Sequence, residues 1–230
     1  MEMMNERIFV INYKSYSTSY GEKGIEIAKI AEKVSKDTGV RIILAVPFTE
    51  IRAIASSVEI EVIAQHIDPV AEGAATGHVT AEMVKAAGGK GSLINHSEKR
   101  MLLSDIEEAI SKLRNVGLYS IACASTPRTA AAVSLLLPDM VAVEPPELIG
   151  TGISVSRAKP EVITASLELI EKVGGKGIPV LVGAGVSNKE DSMRSVELGA
   201  SGILVASAIM NAHDPEKKIA ELSYGLLKKT

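Results

Sequence analysis

Lys14, His96 and Glu144 each stand just past a short apolar run, an awkward place for an ionisable side chain. A carboxylate at the end of a buried strand is costly unless something pairs with it or uses it. A lysine there is hard to bury without an anion. His96 precedes Ser97-Glu98, a pair that could open a helical turn whose backbone N–H groups favour a neutral imidazole. Carboxylate, imidazole and ammonium together are the material of general acid–base chemistry. Each also has a plainer reading: an ion-paired strand cap for Glu144, a packed structural histidine for His96, a surface lysine with a buried stem for Lys14. Asn12 can close a turn on its own backbone, and Cys123 reads as a small buried hydrophobe.

The residues after Glu144 add a second kind of signal. Pro145 and Pro146 stiffen the exit from the apolar run 140–143, and Ile149-Gly150-Thr151-Gly152 follows as a flexible tail. A hinge, a short rigid tip and backbone N–H groups free to approach an anion are what a lid needs. His66 and His78 share a stretch with Asp68 and Glu72, but no metal-ligand spacing such as His-Glu-x-x-His is present, so the reading assigns no metal.

Something must bring these distant residues together. Eight short apolar runs, rich in Val and Ile and without alternation, occupy 8–11, 40–46, 61–64, 92–94, 119–122, 140–143, 179–182 and 202–205. That is the pattern of parallel strands buried on both faces. The segments between them carry helical stripes, such as Ile27, Ile30, Ala31, Val34 and Ile106, Ala109, Ile110, Leu113. Ser104 with Glu107 and Ser187 with Glu190 have capping-box spacing, and Thr126-Pro127 and Asp214-Pro215 place proline at a first helical position. Gly39, Gly88, Gly117, Gly174 and Gly199 suit left-handed helix ends. Eight strand–helix units in 230 residues predict an α/β protein, a single (β/α)8 barrel domain over residues 1–230. An open doubly wound sheet is the alternative, but no Gly-x-Gly-x-x-Gly follows the first strand.

In a barrel of this kind the chemistry gathers where the strands end. Those ends read Asn12-Tyr13-Lys14, Gln65-His66, Asn95-His96-Ser97-Glu98, Cys123, Glu144, Gly183-Ala184-Gly185 and Ala206-Ser207. The last two are small-residue turns at the ends of strands seven and eight, the usual phosphate site of the architecture.

The bulk composition narrows the partners. Net charge is −3 and aromatic residues make up 3%, with no Trp, which argues against nucleic acid and anionic membrane surfaces. One cysteine excludes an intrachain disulfide and fits a reducing, cytoplasmic setting. No long apolar segment suggests a signal peptide or a membrane span.

Taken in order, Asn12-x-Lys14, Ala64-Gln65, His96-Ser97-Glu98-Lys99-Arg100 and Glu144-Pro145 followed by Ile149-Gly150-Thr151-Gly152 resemble the triosephosphate isomerase family along the whole chain. The compact length and the Glu144-Pro145-Pro146-Glu147-Leu148 stretch look like its archaeal branch. The resemblance implies the TIM-barrel fold, a phosphorylated triose substrate, no cofactor, and a homo-oligomer, dimer or tetramer. It implies Glu144 as base, His96 as donor to the substrate oxygens, Lys14 as fixed positive charge and Asn12 as a positioning group. Asn12, Lys14, Ile149, Gly150, Gly185, Ala206 and Ser207 would contact substrate. Glu98 would pair with a lysine or arginine and carry no catalytic role. The chain departs from the family in having Pro146-Glu147 for Val-Trp, Val182-Gly183-Ala184-Gly185 for Tyr-Gly-Gly-Ser and Ala206-Ser207 for Gly-Gly. A different phosphate-handling barrel, such as a Schiff-base aldolase or a prenyl-transferring synthase, and a non-catalytic barrel are the rivals. The aldolase needs a lysine on a barrel strand near the centre, and the later strand runs contain none.

Overall fold

Unbroken runs of Val, Ile and Leu can only be satisfied by strands covered on both sides. The computed structural model describes residues 6–145, 148 and 154–227, and in it the eight runs are eight strands. They are β1 (Ile8–Asn12), β2 (Arg41–Val46), β3 (Glu61–Ala64), β4 (Gly91–Ile94), β5 (Tyr119–Ala124), β6 (Met140–Val143), β7 (Val180–Val182) and β8 (Gly202–Val205). Each pairs in parallel with the next, and β8 returns to β1 to close a barrel. The helices are α1 (Gly21–Thr38), α2 (Ile51–Ala55), α3 (Ala81–Ala86), α4 (Leu103–Asn115), α5 (Pro127–Ser134), α6 (Val155–Ala158), α7 (Pro160–Lys172), α8 (Lys189–Glu197), α9 (Ser207–Met210) and α10 (Pro215–Leu226). Among the described residues no helix is long and apolar enough to cross a membrane.

The core has two shells because strand side chains alternate. Val10, Ile43, Ile63, Leu93 and Leu181 fill the barrel's interior. Phe9, Ile11, Ile42 and Leu44 point outward and pack with helix residues such as Ile27, Ile110 and Leu113. Counting two positions on from inward-facing Val10, Ile63, Leu93, Ala142, Leu181 and Leu204 gives Asn12, Gln65, Asn95, Glu144, Gly183 and Ala206. The same alternation that builds the apolar interior therefore sets a last, largely polar layer at the C-terminal mouth.

The helix ends follow the sequence in part. Thr126 caps α5 in a true capping box with Thr129, Asp214 caps α10 by accepting from Lys217 N–H, and all five proposed terminal glycines have positive φ. Two expected caps are wrong. α4 begins at Leu103 after Leu102, so Ser104 lies inside the first turn and makes no cap. Asn188, not Ser187, caps α8, its side chain accepting from Asp191 N–H. In both cases a neighbour with a suitable extended backbone took the position.

Candidate active site

Asn12 ends β1 in the last inward layer, and its carbonyl oxygen Oδ1 accepts from Lys14 N–H at 3.0 Å and from Gln65 Nε2 at 3.3 Å. Gln65 Nε2 also donates to the carbonyls of Lys14 (3.1 Å) and Ala45 (3.2 Å). Lys14 needs this support because it stands at φ 49, a left-handed conformation that non-glycine residues adopt rarely. Between them, Asn12 and Gln65 fix a turn that throws the Lys14 side chain across the mouth. Its Nζ lies 2.7 Å from Glu98 Oε1.

His96 follows β4, and the Glu98 amide donates to its Nδ1 at 3.2 Å. Nδ1 is thus an acceptor, and the ring proton sits on Nε2. Nε2 faces Glu144 Oε2 across 3.5 Å without a hydrogen bond. Both atoms are buried, and neither has a partner. Glu98 links the two halves: one carboxylate oxygen holds Lys14 and the other lies 3.6 Å from His96 Nδ1. Lys14, His96 and Glu144, which follow β1, β4 and β6, therefore meet in one series of close polar contacts. Asn12, Lys14 and His96, with Gln65 and Glu98, line a cleft of 510 Å³.

Glu144 is 4% exposed, and its side chain fills the space that a glycine, Gly183, leaves just after β7. A Cβ on Gly183 would stand 2.3 Å from Glu144 Cγ and 2.8 Å from Oε1. Cys123, buried below, has its thiol pushed well above the ordinary range by burial and then by the charge of Glu144 and a hydrogen bond to it. The sequence reading of a small buried hydrophobe holds, with the addition that this thiol touches the carboxylate.

Gly185, Ala206 and Ser207 lie at the ends of β7 and β8, beside Gly183 on the same mouth, but they do not line the cleft around Lys14. Ala184 and Gly185 take φ 109 and φ 73, a tight turn with an alanine in a region that favours glycine. Ile149 and Gly150, like Pro146, Glu147, Thr151 and Gly152, lie outside the described residues. His66 and His78 flank Asp68 at 3.3 and 3.5 Å, and Asp68 also accepts from Val79 N–H, which closes the loop on itself. Burial pushes the His66 ring below its ordinary value. Among the described residues no three His, Cys, Asp or Glu side chains are placed to hold a metal ion.

Two supporting residues carried no assigned role in the sequence. Gln65 is one. Asn95 is the other: at φ 58 it donates to Cys123 O at 2.9 Å and accepts from Met101 N–H at 3.0 Å, anchoring the turn that presents His96. The signal available for both was their place two residues beyond an inward-facing strand residue.

The sequence model described as triosephosphate isomerase matches residues 7–222. A triosephosphate isomerase from Methanocaldococcus jannaschii is 51% identical over 215 residues, 94% of this chain and 98% of that one. Another, from Sulfurisphaera tokodaii, is 48% identical over 225 residues, 98% of this chain and 97% of that one. The crystal structure of a triosephosphate isomerase from Bartonella henselae shares the fold with a TM-score of 0.74, covering 96% of this chain and 97% of that chain at 17% identity. With the family's sequence model running from β1 past β8, and archaeal relatives about half identical over nearly the whole length, the chain belongs to the triosephosphate isomerase family.

Proposed function

We propose that this chain, acting as one barrel domain, interconverts dihydroxyacetone phosphate and D-glyceraldehyde 3-phosphate through an enediolate, as a step of glycolysis and gluconeogenesis. The observation that carries the reading is the pair of buried, unpartnered atoms, His96 Nε2 and Glu144 Oε2, facing each other 3.5 Å apart beside an ammonium group. Buried polar atoms without partners are rare, and a donor beside an acceptor can be engaged together by the carbonyl oxygen and the adjacent C–H of one small molecule.

Glu144 takes the proton from the carbon next to the carbonyl and returns it to the neighbouring carbon. His96 Nε2–H donates to the substrate oxygens. This pairing of a carboxylate base with a neutral histidine is what the family is known for, and it is carried over from there. Lys14 supplies positive charge to the developing oxyanion, and Glu98 holds that ammonium in place. With its Oδ1 occupied, Asn12 has only its amide Nδ2 to offer a ligand. By the same resemblance, Gly185, Ala206 and Ser207, together with the amides of Ile149 and Gly150, hold the phosphate. The proton moves within one substrate and no electrons leave it, so the reaction calls for no cofactor. A cytoplasmic homo-oligomer, dimer or tetramer, completes the reading and rests on the resemblance and the single buried cysteine.

An NADH-linked assay of dihydroxyacetone phosphate formed from D-glyceraldehyde 3-phosphate tests the activity directly, and absence of turnover sinks it. Gly183→Ala tests the geometry. The backbone there is not left-handed, so alanine is acceptable to the main chain, and the three atoms nearest to the added methyl all belong to Glu144. The variant is expected to fold and to lose about 100-fold in kcat, because a displacement near 1 Å costs roughly that much. Native kcat in that variant would show that the position of Glu144 in this structure is not the working one.

A further inference from the structure

Among the described residues two carboxylates are buried, Glu144 and Asp191. The first has a part in the proposed reaction and the second has none. Asp191 sits in the first turn of α8 with its side chain fully covered, the kind of burial that a charged group sustains only when firmly partnered. Its partners come from two directions. Oδ2 accepts from Ser187, from the amide at 3.0 Å and from the hydroxyl at 3.2 Å. Oδ1 lies 2.6 Å from Nε of Arg157 on α6, an ion pair that lacks hydrogen-bond alignment. Ser156, also on α6, donates to the Asp191 carbonyl at 3.3 Å.

Ser187 ends the turn that leaves β7, and Ala184 and Gly185 make the strained part of that turn. The other end of the turn is tied to the same short helix, since Val155 N–H donates to Ala184 O at 3.2 Å. The segment from 184 to 187 is thus gripped at both ends against α6, once through Val155 and once through Asp191. Without such a grip an alanine at φ 109 would relax toward a commoner conformation, and the amides of the turn would swing with it.

We propose that Asp191, paired with Arg157, is a positioning residue that holds the turn after β7 so that its amides face the substrate's phosphate. The inference rests on the phosphate reading above and extends it to residues far from the acid–base set. It predicts a loss that follows the phosphate and spares the proton transfer.

The experiment compares the native chain with Arg157→Gln, Arg157→Lys and Asp191→Asn. Two substrates are used: D-glyceraldehyde 3-phosphate, and D-glyceraldehyde, which has the same reacting carbons and no phosphate. Inorganic phosphate serves as competitive inhibitor. Arg157→Gln is expected to raise KM for the phosphorylated substrate and Ki for phosphate about tenfold. It should leave kcat/KM for D-glyceraldehyde unchanged, and Arg157→Lys should recover most of the loss. Asp191→Asn should do the same more strongly. If that variant fails to fold, Arg157→Gln still decides, because the arginine is 55% exposed and Asp191 keeps both of its Ser187 hydrogen bonds when it is replaced. A lower melting temperature with KM and Ki unmoved would make the pair a structural tie and overturn the proposal. Equal losses on both substrates would also overturn it, since the acid–base set would then be what moved. A native chain with no isomerase activity overturns the site reading and this proposal together, whereas an active native chain with an indifferent Arg157→Gln overturns this proposal alone.

Discussion

Glu144→Asp is expected to fold like the native chain and to lose on the order of 10² to 10³ in kcat, with KM changed only a few-fold. The substitution keeps a carboxylate but withdraws it by about one bond length, ~1.5 Å. Glu144 has no hydrogen bond on Oε2 to lose, so the fold gives up one methylene's packing against Gly183, about 1 kcal/mol, and the contact with the Cys123 thiol. Proton transfer from carbon is far less forgiving, because base and carbon must be within contact distance before anything happens. The measurement is steady-state kinetics in both directions, set beside a thermal melt. Native turnover in the aspartate variant would mean that another group takes the proton.

The sequence discloses this site unevenly, and the reason is physical. Burial periodicity is a property of every residue in a strand, so the eight runs and the closed barrel could be read directly from Val, Ile and Leu. The same alternation carries past the strand ends and places Asn12 and Glu144 in the last inward layer. His96 could be placed at the mouth from the end of the fourth run, but not its aim, because it leaves the strand pattern and is turned by Asn95 at φ 58 and by the Glu98 amide. The backbone conformation of Lys14 at φ 49 was not legible at all, since nothing in its composition distinguishes it from an ordinary loop lysine. Ser104 and Ser187 failed as caps because spacing marks candidates, while the neighbouring backbone decides which residue takes the position. Asp191 was invisible for a different cause. Its partners Arg157 and Ser187 lie 34 and 4 residues away and come together only when α6 packs on α8.

Lys14→Met is expected to cost on the order of 10³ or more in kcat/KM while leaving the melting temperature almost unchanged. Methionine keeps much of the apolar stem and removes the charge. The ammonium's partner, Glu98, is 57% exposed and can rehydrate when left alone, so the pair contributes little to the fold. A developing oxyanion at the floor of the cleft has no such recourse to water, and there the missing cation is felt in full. A large fall in melting temperature would instead make Lys14 a structural tie. One ambiguity has to be removed, because freeing Glu98 also leaves an unneutralised carboxylate 3.6 Å from His96 Nδ1. That charge could disable the histidine and imitate the loss of Lys14. Lys14→Met combined with Glu98→Gln separates the two causes. If Lys14 acts on the substrate, the double variant stays as inactive as the single one. If Lys14 only shields His96 from Glu98, neutralising Glu98 restores most of the activity, and the ammonium loses its place in the mechanism.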